Sequence, residues 1–207
     1  MSEYHKIDSI YKRDTTGKEF LWGQFSRPEF GLLSEIKWEF TEKVDGMNIR
    51  VWNPLGVNLT FSGKTDKANL PKDLVEKLTL RFDDLRQQKL HEIFGSSPFC
   101  LYGEGYGPGI QKGSCYREDK DFVLFDVRVG HWWLKREDVE EVGKSLGLDV
   151  VPIIGEGTLA DMVALCPTLK STWGDFRPEG IVARPKIELQ DRAGKRIITK
   201  IKQRDFK

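Results

Sequence analysis

The stretch "FTEKVDGMNIRVWN", residues 40–53, alternates as a half-buried strand does. It places Lys43 among apolar neighbours and follows it at once with the turn signal Asp45-Gly46. Because side chains alternate across a strand, Glu39, Thr41, Lys43 and Asp45 share one face. A cation in that place has two readings. Its stem can cover a strand edge while the ammonium reaches water. Alternatively the amine is a covalent nucleophile, which requires loss of its proton. From an ordinary lysine pKa of about 10.4, reactivity near neutral pH means destabilising the ammonium by about 3–4 kcal/mol. Partial burial and neighbouring cations are the two available means.

The bulk properties narrow the setting. A chain of 207 residues holds one sizeable core or two small ones. A net charge of +1 excludes a histone-like polycation, and 39% apolar with 31% charged residues suits a soluble globular enzyme. The charge is uneven, with nine Lys/Arg against three acids between Arg184 and Lys207. Such an end fits a phosphate-rich ligand held at one place, and equally a solvated tail. No apolar run approaches the roughly 18–20 residues that span a bilayer, and "MSEYHKIDSIYKRD" has no signal-peptide core. Cys100, Cys115 and Cys166 are odd in number and lack CxxC spacing, against both a disulfide framework and a zinc knuckle. The expected home is a reducing cytoplasm, with no membrane partner. His5, His91 and His131 show no ligand spacing.

Outward from residue 53 the pattern stays mixed. "NPLG" (53–56) reads as a turn and "VNLTFSG" (57–63) as the returning strand of a hairpin. From Pro71 to Gly95, Leu74, Val75, Leu78, Phe82, Leu85, Ile93 and Phe94 recur at helical spacing, with a break expected near Gln87-Gln88. "PFCLYGEGYG" (98–107) reads as a strand entering a glycine-rich loop, and "DFVLFDVRV" (121–129) as a buried strand turned by Gly130 toward "HWWL". Trp132-Trp133 there reads as part of a hairpin packed on the sheet. "REDVEEVGKSL" (136–146) is an amphipathic helix stopped by Gly147, "DVVPII" (149–154) a strand, and "TLADMVAL" (158–165) a short helix. "EGIVARP" (179–185) and "RIITKIKQ" (196–203) are β-rich, joined through a turn at "DRAGK". No repeat or linker interrupts the chain, so one domain spanning 1–207 is expected. Strands paired locally, with helices between, give an α+β fold rather than a βαβ repeat.

Five motifs run in order along the chain: "EKVDGMN" (42–48), "LYGEGYG" (101–107), "DFVLFDV" (121–127), "EGIVARP" (179–185) and "ITKIK" (198–202). Each alone is weak. Together, spanning 42–202, they resemble the covalent nucleotidyltransferase superfamily of polynucleotide ligases and mRNA capping enzymes. The likeness is greatest to the RNA-ligase branch typified by the second RNA ligase of phage T4 and its compact relatives. The implied fold is a nucleotidyltransferase domain, with mainly antiparallel sheets around a nucleotide cleft.

The resemblance implies a role for each matched residue. Lys43 would attack the α-phosphorus of ATP and carry AMP on its Nζ, with Asp45-Gly46 shaping the loop that aims it. Asn48 stands where DNA ligases and capping enzymes carry arginine, which favours an RNA ligase. Glu42 would lie by the adenine. Lys64 falls where the family often has an arginine on the nucleotide phosphate or the RNA, without that residue's two-pronged fork. Glu104 would hold the ribose hydroxyls or the metal, Phe125 would stack on adenine, and Asp126 would support the site from the other side of its strand. Glu179 would help bind Mg²⁺ or Mn²⁺. Lys200 and Lys202, two apart and so on one strand face, would steady charge on the α-phosphate and disfavour the Lys43 ammonium.

The activity so implied is that of an ATP-dependent RNA ligase, which adenylylates RNA 5′-phosphate ends and joins them to 3′-hydroxyl ends. The sequence ends five residues after Lys202, so no OB-fold and no C-terminal domain is expected, and a protein partner or further domain would bring the RNA. A minimal DNA ligase, a GTP-using capping enzyme and a nucleotide- or RNA-binding module without catalysis are the competing readings.

Overall fold

The computed structural model describes residues 3–53 and 59–206. Most of the turn read at 53–56, and residues 57–58 of the returning strand, therefore lie outside the described residues. The chain read as one domain comprises two compact units. A mid-chain unit holds Met1–His5 and Asp45–Val151, and a terminal unit holds Lys6–Val44 and Pro152–Lys207. The chain passes from one to the other inside the KVDG motif, after Val44.

In chain order the terminal unit begins with β1 (Asp8–Ser9), β2 (Tyr11–Arg13), β3 (Phe20–Phe25), α1 (Pro28–Leu32) and β4 (Trp38–Lys43). The mid-chain unit comes next with β5 (Met47–Asn53), β6 (Thr60–Ser62), α2 (Lys72–Arg81), α3 (Asp84–Phe94), β7 (Phe99–Tyr106), β8 (Asp121–Val129), β9 (Trp132–Trp133) and α4 (Arg136–Leu146). The terminal unit resumes with β10 (Ile153–Gly157), α5 (Leu159–Leu165), β11 (Gly180–Pro185) and β12 (Thr199–Lys202). The α+β class read from the sequence is the observed one.

In the terminal unit the main sheet runs β1-β12-β11-β4-β10, antiparallel except for the β1–β12 pair. Alternation along β4 sends Trp38 and Phe40 into a core with Ile181, Ala183 and Ile201, closed by Phe30 of α1 and by Leu159 and Met162 of α5. Helix α5 starts where its sequence dictates. The Thr158 Oγ1 accepts from the Asp161 N–H at 3.2 Å, and Asp161 Oδ2 accepts from the Thr158 N–H at 2.8 Å, which closes a capping box.

In the mid-chain unit an antiparallel sheet runs β6-β5-β7-β8-β9. One face carries Ile49, Val51, Leu101, Phe122, Leu124 and Val127 against α2, α3 and α4, whose Leu74, Leu78, Leu90, Phe94, Val139, Val142 and Leu146 complete the core. The cross-strand register puts Asn48, Arg50, Tyr102, Glu104 and Asp126 on the opposite face.

Several boundaries differ from the sequence expectation for identifiable reasons. The 71–94 helix breaks at Phe82-Asp83 and not at Gln87-Gln88. Asp83 caps α3 by accepting from the Arg86 N–H at 3.0 Å, whereas glutamine is a good helix former and sits inside α3. The 149–154 strand begins only at Ile153, with Val150 making an isolated bridge to Leu124. Pro152 has no N–H to give a ladder. Four elements stand before residue 36 where none is expected: β1, β2 and α1 are two, three and five residues long, too short for a pattern, and β3 is exposed at its four middle positions and so does not alternate. By contrast β8 and α4 have the expected limits, with Gly147 closing α4 in the left-handed region at φ 61°.

Asp83→Ala is expected to lower stability by about 1 kcal/mol through loss of the α3 cap. Gln88→Ala, exposed inside α3, should stay within about 0.5 kcal/mol. Urea unfolding midpoints of the two variants check the placement of the break.

Candidate active site

Strand β11 sets the terminal-unit site because it lies between β4 and β12. Gly180 faces Lys43 on one side and Lys202 on the other, and Val182 lies between Thr41 and Lys200. Lys43, Lys200 and Lys202 therefore project from one face of the sheet, while Phe40, Ile181 and Ile201 fill the core beneath. Glu179, just ahead of Gly180, places Oε2 at 2.5 Å from Lys43 Nζ and its other oxygen on Lys202 Nζ. A Cβ at Gly180 would lie 2.1 Å from the Ile201 carbonyl oxygen, so only glycine lets β11 and β12 approach this closely. The glycine of "EGIV" thus serves strand packing.

One carboxylate is shared by two ammoniums, and all three side chains keep no more than 20% exposure. Pairs this shielded from water couple more strongly than surface ion pairs. Burial alone pushes the Glu179 carboxyl up, but Lys43 and Lys202 outweigh it and hold the carboxyl below its usual range. Lys200 makes no ion pair among the described residues. Burial first, then the charges of Lys43 and Lys202, bring its pKa down to about 8. Three amines around one carboxylate leave an excess of positive charge facing a single place, which suits a phosphate.

Glu42 points the other way, into the core side of β4. Its buried carboxylate accepts from Ser171 Oγ at 2.6 Å, from the Thr172 N–H at 2.9 Å and from Thr172 Oγ1 at 3.1 Å. These three bonds fix the 171–172 loop beside Lys43's strand. Nothing in the spacing of Ser171 or Thr172 announced that partnership.

In the mid-chain unit the Asp45-Gly46 turn rests on the GEG strand. A Cβ at Gly46 would meet the Gly105 carbonyl oxygen at 2.3 Å and Glu104 Cγ at 2.8 Å. The glycine of KVDG is therefore required by contact with "YGEGYG", a link between two motifs that lie far apart in sequence. The Asp45 N–H donates to Tyr116 Oη at 3.4 Å. Asn48 stands directly opposite Glu104 on β7, and its Oδ1 is buried without a hydrogen-bond partner among the described residues. The missing side chains of Gly103 and Gly105 make room for Phe122, Ile49 and Leu74 on the core side of β7. Those glycines serve packing.

Phe125 is the extra residue of a β-bulge. Tyr102 pairs with Asp126 and Gly103 with Leu124, which leaves Phe125 unmatched and re-aims its ring. That ring lies edge-on to Tyr4 at 5.0 Å, and buried Asp126 accepts from Tyr4 Oη at 2.8 Å. Trp133 packs against Tyr4 and Tyr102 as the hairpin reading expects, while Trp132 stands 81% exposed. Lys64 is exposed. Sequence reasoning passed over Tyr4, Tyr116 and Arg50; only Arg50 left a signal, a cation in the apolar run "NIRVW" on the same face as Asn48. Among the described residues no three His, Cys, Asp or Glu side chains converge as a metal cage.

Solved structures of the Naegleria gruberi RNA ligase share this fold. A point mutant bound to ATP and manganese superposes with a TM-score of 0.73 at 18% identity, covering 100% of this chain and 57% of that one. The same ligase with pyrophosphate gives 0.72 at 17% identity, again 100% and 57%. Another point mutant, with AMP and manganese, gives 0.70 at 16% identity with the same coverage. The chain thus spans a little over half the length of these relatives. Its architecture is the nucleotidyltransferase fold of RNA ligases. The model of the RNA ligase family matches residues 36–202, most of the chain, and the chain belongs to that family. No curated protein matches it.

Two measurements check the site. In protein labelled at the lysine side chains, NMR should find Lys200 titrating near 8. Because Lys43 is one of the charges that lower it, Lys43→Met should move that titration upward. The folded value lies below the ordinary lysine value, so the unfolded chain binds more protons between the two, and Lys200's contribution to stability should rise from about pH 8 to about 10.4. Separately, Gly46→Ala should cost about 1–3 kcal/mol by overpacking against Gly105, read from thermal unfolding.

Proposed function

We propose that this chain is an ATP-dependent RNA ligase acting through a covalent lysyl-AMP. The observation that carries the reading is the projection of Lys43, Lys200 and Lys202 from one sheet face with Glu179 held between two of them. Support also comes from family membership, and from the ATP, AMP, manganese and pyrophosphate bound by the Naegleria ligase.

In the first step the lone pair of Lys43 Nζ forms a bond to the α-phosphorus of ATP. The bond from that phosphorus to its bridging oxygen breaks, pyrophosphate leaves with the electron pair, and the nitrogen sheds its proton. Glu179, in contact with Nζ, favours the ammonium, and the charges of Lys200 and Lys202 oppose it. Lys200 and Lys202 neutralise charge on the phosphate oxygens as the new bond forms. In the second step a terminal phosphate oxygen of an RNA 5′ end attacks the same phosphorus, the phosphorus–nitrogen bond breaks, and Lys43 leaves with the electron pair and takes up a proton, giving a 5′-5′ adenylylated end. In the third a 3′-hydroxyl attacks the RNA 5′-phosphorus, loses its proton, and releases AMP. All three are displacements at phosphorus, in which positioning and charge neutralisation dominate.

Asp45 and Gly46 hold the turn that comes after the nucleophile. In the mid-chain unit Asn48, Lys64, Glu104, Phe125 and Asp126 take the nucleotide and phosphate roles that the family pattern gives them, and Glu42 orders the loop at 171–172. In the terminal unit Glu179 is the carboxylate that would help hold Mg²⁺ or Mn²⁺, and in the mid-chain unit Glu104 is the one that the family pattern gives to the ribose hydroxyls or a metal. Both Glu179 oxygens already meet ammoniums, so an ion beside it would have to draw most of its ligands from phosphate and water. When bound, that ion neutralises phosphate charge. Asn48 favours RNA over an all-DNA nick. Retention of Lys43, Glu104, Glu179, Lys200 and Lys202 together favours an active enzyme over a binding module. The reading extends to RNA repair in a reducing cytoplasm, with a partner protein or further domain presenting the RNA. Among the described residues no helix is long and apolar enough to cross a membrane.

Incubation with ATP and Mg²⁺ should add one AMP to the intact protein by mass spectrometry, and Lys43→Ala should abolish the addition. Lys202→Ala should slow it by about two orders of magnitude or more, through loss of a phosphate contact made in the transition state. Addition of AMP to the Lys43→Ala protein at the wild-type rate would overturn the assignment.

A further inference from the structure

Arg50 is fully buried on β5, on the same sheet face as Asn48. Its Nε–H donates to the Gly63 carbonyl at 2.8 Å and its Nη2 to Asp66 Oδ1 at 2.6 Å. Nη1 is buried without a hydrogen-bond partner among the described residues. A buried guanidinium is costly unless a carboxylate matches it, and Arg50's is supplied by a residue whose side chain is 77% exposed. Asp66 is the one acid in the loop "GKTDKA" (63–68), which also carries exposed Lys64 and Lys67. Neither lysine makes an ion pair among the described residues.

The loop is folded back tightly. The Ala68 N–H donates to the Thr65 carbonyl at 3.1 Å, and a Cβ at Gly63 would meet Ala68 Cβ at 2.7 Å and the Asn48 carbonyl oxygen at 3.8 Å. Arg50 pairs with Ser62, the last residue of β6. The ladder ends at that pair, and Gly63 follows against the Asn48 carbonyl, so the loop starts beside the part of β5 that carries Asn48, whose partner on β7 is Glu104.

We infer that Arg50 and Asp66 form a clamp on the 63–68 loop that holds Lys64 on the side of Asn48 and Glu104 as a phosphate contact. Arg50 is a positioning residue and acts through Lys64. Asp66 brings the loop down onto the strand, and the two lysines beside it remain available to an anion. Lysine has no guanidinium fork to fix its own geometry, so its backbone must be held instead. The phosphate belongs either to the nucleotide or to the RNA 5′ end. Only that identity rests on the functional reading above.

The test is a mutant cycle on non-covalent binding, with ATP and a 5′-phosphorylated RNA oligonucleotide as separate ligands. Lys64→Ala should weaken one of them by about 3- to 10-fold, the scale of one exposed charge contact, and so show which phosphate is involved. Asp66→Asn should weaken the same ligand to a similar extent, Asp66→Glu should restore most of it, and the double variant should bind no worse than Lys64→Ala alone. Hydrogen exchange should quicken at 63–68 in Asp66→Asn and the melting temperature should fall, because the buried Arg50 charge loses its partner, and Asp66→Glu should reverse both. Wild-type affinity for both ligands in Asp66→Asn, independent multiplying effects in the double variant, or no effect of Lys64→Ala on either ligand would overturn the clamp. Failure of the wild type to take up AMP would sink the catalytic reading and leave this cycle to be judged on binding alone.

Discussion

The shared carboxylate of Glu179 is the contact on which the terminal-unit site depends. It holds Lys43 and Lys202 apart from each other yet on one side of the sheet, at the ends of two strands that never touch. Without a counter-charge, three partly buried ammoniums on one face would repel and seek solvent. With a full complement of acids they would be a neutral network with nothing to offer an anion. One acid among three bases is the intermediate case, and it explains why the ammonium of Lys200, the amine without an ion pair among the described residues, is destabilised.

The same economy of polar groups recurs in the mid-chain unit. One sheet face is apolar and covered by three helices, and the other gathers Asn48, Arg50, Tyr102, Glu104 and Asp126. Asp126 accepts from Tyr4, from the other end of the unit's sequence, and Arg50 meets a loop carboxylate. A buried polar face is tolerated only when such partners exist, and each partner also fixes a loop or an end segment. Polar satisfaction and loop placement are here the same interaction.

Much of this was legible beforehand. Alternation gave β4, β5, β7 and β8, helical periodicity gave α4 and the 71–94 region, and glycine marked the end of α4. The two-residue spacing of Lys200 and Lys202 correctly placed both on one strand face. The misses have physical causes. The α3 cap depends on a single Asp side chain competing for a backbone N–H, a local event that periodicity does not register. Short strands such as β1 carry too few residues for a pattern, and their pairing is long-range.

The sequence by itself determined which residue types are present, which of them share a strand face, and the order of motifs that marks the RNA ligase family. Those properties are local or additive along the chain. Tertiary structure alone decided the pairings. Strand order set β11 between the two lysine strands, packing made Gly46 answer to Gly105, and burial turned Glu42 to Ser171 and Thr172 while Arg50 found Asp66. Each of these depends on which distant segments the core brings together, and a carboxylate's partner is chosen by that proximity, not by its neighbours in the chain.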